Sequence, residues 1–142
     1  MRRIELKAVV DEIEAACDIY TSFYDTETGE IVALFEKDYA DENDDDNEEL
    51  AELLESQPDR FIRFPTRFEI HDYRIMESFV FSLDPGMVQQ RLARALKGKG
   101  AFRRFKDTII ELEVEDSWYS YQAAAYREIA LQWCEDNCME IE

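Results

Sequence analysis

After Pro65 the apolar residues follow a helical period in one segment after another, whereas the chain before it mixes helical and strand-like runs. This change of period constrains the fold more than any other feature of the sequence. Tyr73, Met76, Val80 and Leu83 stand at i, i+3, i+7 and i+10, a buried stripe widened by Phe79. Asp84-Pro85 then offers an N-cap and a first-turn proline for a helix through Met87, Val88, Leu92 and Leu96, which Gly98 would end in a left-handed conformation. A further helix carries Phe102, Phe105, Ile109 and Leu112 on one face. The last begins after Asp116 or Ser117 with the stripe Trp118, Tyr121, Ala125, Ile129 and Trp133.

The first part of the chain opens on an amphipathic helix over residues 6–17. Residues 19–24 and 31–35 are β-branched and aromatic and flank Asp25-Thr26-Glu27-Thr28-Gly29, which has turn chemistry, so a hairpin is expected over 19–35. Residues 37–49 are acidic and aperiodic, an expected solvated loop, with a short helix near 48–56 ended by Pro58. A third strand is expected near 61–64. The resulting class is α+β, a small antiparallel sheet with about five or six helices and a helical C-terminal half. With 142 residues, residues 1–142 are expected to form one domain carrying the acidic loop.

Three motifs carry a resemblance. The hairpin text Tyr24-Asp25-Thr26-Glu27-Thr28-Gly29-Glu30-Ile31-Val32, the run Gly98-Lys99-Gly100-Ala101-Phe102-Arg103-Arg104-Phe105-Lys106-Asp107, and Trp118-Tyr119 resemble a UPF-class family of uncharacterised bacterial proteins, in the same order over nearly the whole chain. The resemblance implies a bacterial cytosolic protein. It assigns no activity, so no catalytic residue follows from it, and Cys134 and Cys138 lie outside its motifs.

The net charge of −18 argues against a dedicated binder of polyanions, but the charge is unevenly placed. Residues 1–60 hold 20 acidic and 5 basic side chains, and residues 107–142 hold 10 and 1. Between them, residues 86–106 hold 7 basic side chains and no carboxylate. Arg94 and Lys97 suit the carbonyl end of their helix. Lys99, Arg103, Arg104 and Lys106 crowd the start of the next, where a cation costs about 0.3 to 1 kcal/mol. A local rule broken in this way marks a candidate functional site.

Gly98 and Gly100 would let backbone N–H groups converge on an anion, with Lys99 and Lys106 adding charge and Arg103 or Arg104 clamping it bidentately. Three readings of this segment stand side by side: it pairs with the chain's own carboxylates, for instance those of the acidic loop; it contacts a phosphorylated ligand or nucleic acid; or it meets the acidic surface of a protein partner. Tyr119 and Tyr126, off the buried stripe, are candidates for surface contact or stacking. A separate possibility is that the acidic surface imitates nucleic acid and captures a basic partner. An enzyme holding a phosphorylated small substrate at the same turn is a third class, in which Asp107 alone stands near as a base.

Other constellations are weaker. Asp41, Asn43, Asp45 and Glu52 match positions of a calcium loop, but Asp46 replaces the glycine that its sharp turn needs. Cys134 and Cys138 stand at i and i+4, and Cys17 and His71 are the only other soft ligands, so no zinc knuckle is spelled out. Cys17 with His71 would make a nucleophile pair only if the fold joined them. No catalytic residue, metal or cofactor is therefore expected. Three cysteines in an odd set suit reduced thiols, and Met1-Arg2-Arg3 leads into an acidic stretch with no apolar run of a signal peptide or membrane span. A cytoplasmic location without membrane contact is the expectation.

Overall fold

The computed structural model describes residues 2–40 and 45–142, which divide into two compact units. The first comprises the chain up to Ile70 together with Tyr126–Glu142. It contains β1 (Arg2–Ile4), α1 (Leu6–Ala15), β2 (Tyr20–Asp25), β3 (Ile31–Phe35), α2 (Asp45–Ser56), a 3-10 turn (Pro58–Arg60), β4 (Phe61–Arg63) and the short α3 (Arg67–Ile70). The second, His71–Ala125, is helical and contains α4 (Asp72–Ser82), α5 (Met87–Ala95) and α6 (Ala101–Glu111). The long α7 (Glu115–Asp136) contributes to both, and β5 (Met139–Ile141) follows it in the first unit.

This is the expected α+β class, with a three-stranded antiparallel sheet in the order β3-β2-β4 and a helical C-terminal half. The β2–β3 register pairs Tyr20 with Phe35 and Tyr24 with Ile31, so the hairpin turns at 26–30 as the sequence chemistry requires. Asp25 supplies that chemistry: its Oδ1 accepts from the N–H groups of Glu27 at 2.9 Å and Thr28 at 3.4 Å, and Gly29 takes φ +77°. Phe64 stacks on Trp133 with ring centroids 4.5 Å apart, and Trp133 Nε1 donates to Arg63 O at 2.9 Å. Val9, Ile13, Phe64, Ala130 and Cys134 complete a fully buried core.

Several boundaries differ from expectation for identifiable reasons. A parallel pair, β1 with β5 (Arg2 opposite Met139, Ile4 opposite Ile141), has no local signature, because each strand is three residues long and its partner lies at the other end of the chain. The helix expected over 6–17 stops at Ala15, leaving Cys17 outside it. Of the acidic loop expected over 37–49, residues 45–49 are helical: α2 begins at Asp45, with Asp45, Asp46 and Glu48 in its first turn, where carboxylates favour the helix dipole. Residues 41–44, and with them Asp41 and Asn43 of the calcium pattern, lie outside the described residues. Asp84-Pro85 does not open α5. The N-cap is Gly86 in an extended conformation, and the Gln89 side chain instead donates back to Val80 O and Leu83 O at 3.0 and 3.1 Å, closing the end of α4. A capping box opens α3, with Thr66 N donating to Glu69 Oε1 at 3.0 Å and Glu69 N to Thr66 Oγ1 at 3.3 Å.

The core of the second unit is Met76, Phe79, Val80, Leu92, Leu96, Phe105, Ile109 and Trp118. Its centre is aromatic, with Phe105 and Phe79 edge-on to Trp118 at 5.0 and 5.4 Å. Phe102, expected beside Phe105 in the core, is 43% exposed, because Ala101 takes the inward position one turn before Phe105. No helix among the described residues is long and apolar enough to cross a membrane.

Candidate functional site

The carboxylate-free segment 86–106 forms α5, the turn after it and the start of α6. Gly98 and Gly100 take φ +80° and +75°, the left-handed conformation expected at the end of α5, and Gly100 is the N-cap of α6. The turn packs its carbonyls toward one guanidinium. Arg104 donates from Nε to Ala95 O at 3.0 Å, from Nη1 to Lys99 O at 2.7 Å, and from Nη2 to Lys97 O. Tyr73 Oη donates to Leu96 O at 2.8 Å. Two side chains thus satisfy the carbonyls at 95 and 96, the negative end of the α5 dipole, and those at 97 and 99 in the turn that follows.

This geometry explains the cation that the sequence placed at an unfavourable helix start. Arg104 belongs to the first turn of α6, yet its charge lies against the C-terminus of α5, where it is favourable. Its fork positions the turn, so Arg104 is removed from the proposed anion clamp. Arg91 pairs with Glu111 at 2.9 Å across α5 and α6. Among the described residues, the other five cations, Arg94, Lys97, Lys99, Arg103 and Lys106, form no ion pair and are exposed. Of the residues expected to hold an anion, Lys99, Arg103 and Lys106 therefore present charge to solvent, Gly98 and Gly100 shape the turn, and Arg104 holds it.

The tyrosines divide. Tyr119 is 58% exposed, but Tyr126 is 8% exposed and is not a surface contact. Over the second half of α7 the buried positions become Tyr126, Ala130, Trp133 and Cys134, at i, i+4, i+7 and i+8, and this stripe belongs to the first unit. The cysteines also shift from expectation. Burial raises the Cys134 pKa, whereas Cys138 lies beyond the end of α7 at φ +55°, exposed, so the two do not share a helix face. Cys17 is half-buried and borders a cavity of about 30 Å³ with Glu12, Tyr20 and Ser22. His71 is exposed at φ +58°, at the junction of α3 and α4. Asp107 is exposed on α6. Among the described residues no group of three or more His, Cys, Asp or Glu side chains is placed to hold a metal ion.

A second polar cluster was missed in the sequence. Asp25, 4% exposed, receives Arg60 Nε on Oδ1 at 2.9 Å and Arg60 Nη2 on Oδ2 at 2.8 Å, while Arg60 Nη1 lies 3.2 Å from Glu27 Oε2. The Arg60 guanidinium holds the Asp25 carboxyl well below the usual carboxylate range. Thr26 donates through N and Oγ1 to Arg60 O at 2.9 and 2.6 Å, locking the hairpin turn to the 3-10 segment. The turn residues signal an Asx-type turn; nothing local signals an arginine 35 positions away. Glu69, bonded by Arg63 Nη1 at 2.6 Å and by Thr66 N, is likewise lowered, to about 2.

The model of a family described as "Uncharacterised protein family (UPF0158)" matches residues 2–141. A Pseudomonas aeruginosa protein named as a UPF0158 protein is 33% identical over 90 residues, covering 63% of this chain and 59% of that protein. The aligned stretch thus spans less than two thirds of the relative. No solved structure matches.

Proposed function

Because the chain belongs to the UPF0158 family, whose description names no activity, we propose from the geometry that it is a non-enzymatic binding module contacting an anionic partner through residues 86–106. The observation that carries this reading is five exposed cations, Arg94, Lys97, Lys99, Arg103 and Lys106, in a segment without a carboxylate, around a turn fixed by Arg104. With the arginine fork bonded to carbonyls, the segment is better suited to an extended partner met by several separate cations than to one clamped phosphate. Nucleic acid is the first candidate and an acidic protein surface the second.

The test is fluorescence anisotropy with labelled single-stranded and duplex oligonucleotides, in a salt series. Lys99→Glu with Arg103→Glu should weaken binding about tenfold or more and flatten the salt slope by about two phosphate contacts. Arg104 is left intact because its loss would disturb the turn. Absence of binding by the wild-type chain at low salt rules out nucleic acid as the partner.

A second reading has support of its own. α2 carries Asp45, Asp46, Glu48, Glu49, Glu52 and Glu55, with no basic and no buried residue, as a nucleic-acid mimic for a basic partner would. That capture would be indifferent to Lys99 and Arg103.

A further inference from the structure

In α6 the inward positions are Ala101, Phe105 and Ile109, so Phe102 falls at the margin of the buried face with much of its ring exposed. The ring is held in place there. It packs against Tyr73 with centroids 6.4 Å apart, and Tyr73 is itself fixed by the bond from its hydroxyl to Leu96 O. Lys106 stands at i+4 from Phe102 and at i+3 from Arg103, while Lys99 precedes the ring in the turn that Arg104 fixes. Around the helix from the ring the order is Phe102, Lys106, Arg103, Asp107, which sets this carboxylate beyond the cations. Among the described residues the guanidinium seated over a ring is that of Arg60 on Phe61, so no cation covers Phe102.

We propose that Phe102 is a base-stacking residue of a site for single-stranded nucleic acid, with Lys99, Arg103 and Lys106 meeting the phosphates. The inference rests on the reading of residues 86–106 as an anion-contacting segment and names the ligand class. An exposed ring bordered by free cations matches a polymer that carries a flat apolar group beside each negative charge. A single strand has one base for every phosphate, so such a ring meets a base in any register, and each base has a face that can stack. In a duplex the bases are stacked on one another and the backbone offers phosphate and sugar, which give the cations partners and the ring none. A carboxylate-rich protein surface satisfies the charges but sets no flat face beside each of them. Because Tyr73 already holds the Phe102 ring, little rotamer freedom is left to lose on stacking. The contact reads no base edge, so the site should be tolerant of sequence.

The test is fluorescence anisotropy of the full-length chain with a labelled single strand of about 12 nucleotides, the same sequence as a duplex, and labelled poly-glutamate. The single strand should bind more tightly than either of the others. Phe102→Leu should lose about tenfold in affinity for the single strand with an unchanged salt slope, because a stacked base releases no counterion, and should leave duplex binding as it was. Phe102→Tyr keeps a ring and should keep the wild-type affinity. Leucine still packs on Tyr73, circular dichroism checks the variants, and Phe102→Met replaces Phe102→Leu if the latter misfolds. An affinity unmoved by Phe102→Leu, an equal loss for strand and duplex, a loss to Phe102→Tyr as large as to Phe102→Leu, or poly-glutamate bound as tightly as the strand overturns the stacking. If Lys99→Glu with Arg103→Glu still weakens binding in those cases, the anion-contacting reading stands without it. No binding of either nucleic acid at low salt also overturns the inference, and poly-glutamate then decides whether the anion-contacting reading survives.

Discussion

Two turns of this protein are closed by the same residue type and left in opposite electrical states. At the β2–β3 hairpin, Arg60 arrives from the 3-10 segment and meets Asp25 and Glu27, so its charge is cancelled beside a nearly buried carboxylate. At the α5–α6 turn, Arg104 meets the carbonyls of Ala95, Lys97 and Lys99. Dipoles orient a cation and lower its energy, but they do not cancel its charge. At one turn the arginine is outnumbered by the two carboxylates it meets; the other stays positive, with Lys97, Lys99, Arg103 and Lys106 around it. A pair of arginines with the same mechanical role therefore leaves one turn beside carboxylates and the other among exposed cations.

The contrast is sharpest if each arginine's acceptor is removed or its shape changed. Asp25→Ala should have the largest effect, about 3 kcal/mol at neutral pH, because it removes charge-assisted bonds and leaves Arg60 without its buried partner. Urea unfolding measures it, and a loss below about 1 kcal/mol would mean that the hairpin joint is not held by this pair. Arg104→Ala should cost somewhat less, about 2 kcal/mol, through several unsatisfied carbonyls at a helix end. Arg104→Lys should recover only part of this, since the three carbonyls are bonded by three separate nitrogens of the guanidinium fork and lysine offers a single nitrogen; full recovery would show that charge alone matters there.

The smallest effect is the pH response, and it should separate the turns. Asp25 and Glu69 have folded-state pKa values below their unfolded ones, held down first by Arg60 and by Arg63 respectively. Their stabilisation is complete above the unfolded carboxylate range and is lost as pH falls from about 4 through 2 and below. Asp25 contributes the larger part of this loss; Glu69, with its side chain 49% exposed, adds less because solvent screens it. Acid unfolding of Arg104→Ala should keep the wild-type slope, whereas Asp25→Ala should flatten it. Equal slopes in both variants would deny the electrical difference between the turns.

Much of the fold was legible because its signals are local. Helical spacing placed α4, α6 and α7 within a few residues, and Asp25 with Gly29 placed the hairpin turn. Thr66 and Glu69 spelled the capping box of α3 in plain text, so that omission had a readable signal. The β1–β5 pair had none, since three-residue strands gain their identity only from each other. Tyr126 was misjudged because one helical stripe was extended along all 22 residues of α7, while its two halves bury different faces. At the candidate site, the segment and its glycines were visible in advance, but the division of labour among its arginines was not.

The sequence by itself determined that seven cations and no carboxylate would be gathered in residues 86–106, and that glycines would break the backbone between two helices. Composition and spacing are properties of neighbours along the chain, and those do not change on folding. Which cations remain available was decided only by the tertiary structure. Whether a charge is neutralised, oriented or free depends on acceptors brought within about 3 Å, and these come from other helices and turns: Glu111 for Arg91, the end of α5 for Arg104, and, in the other unit, Asp25 for Arg60.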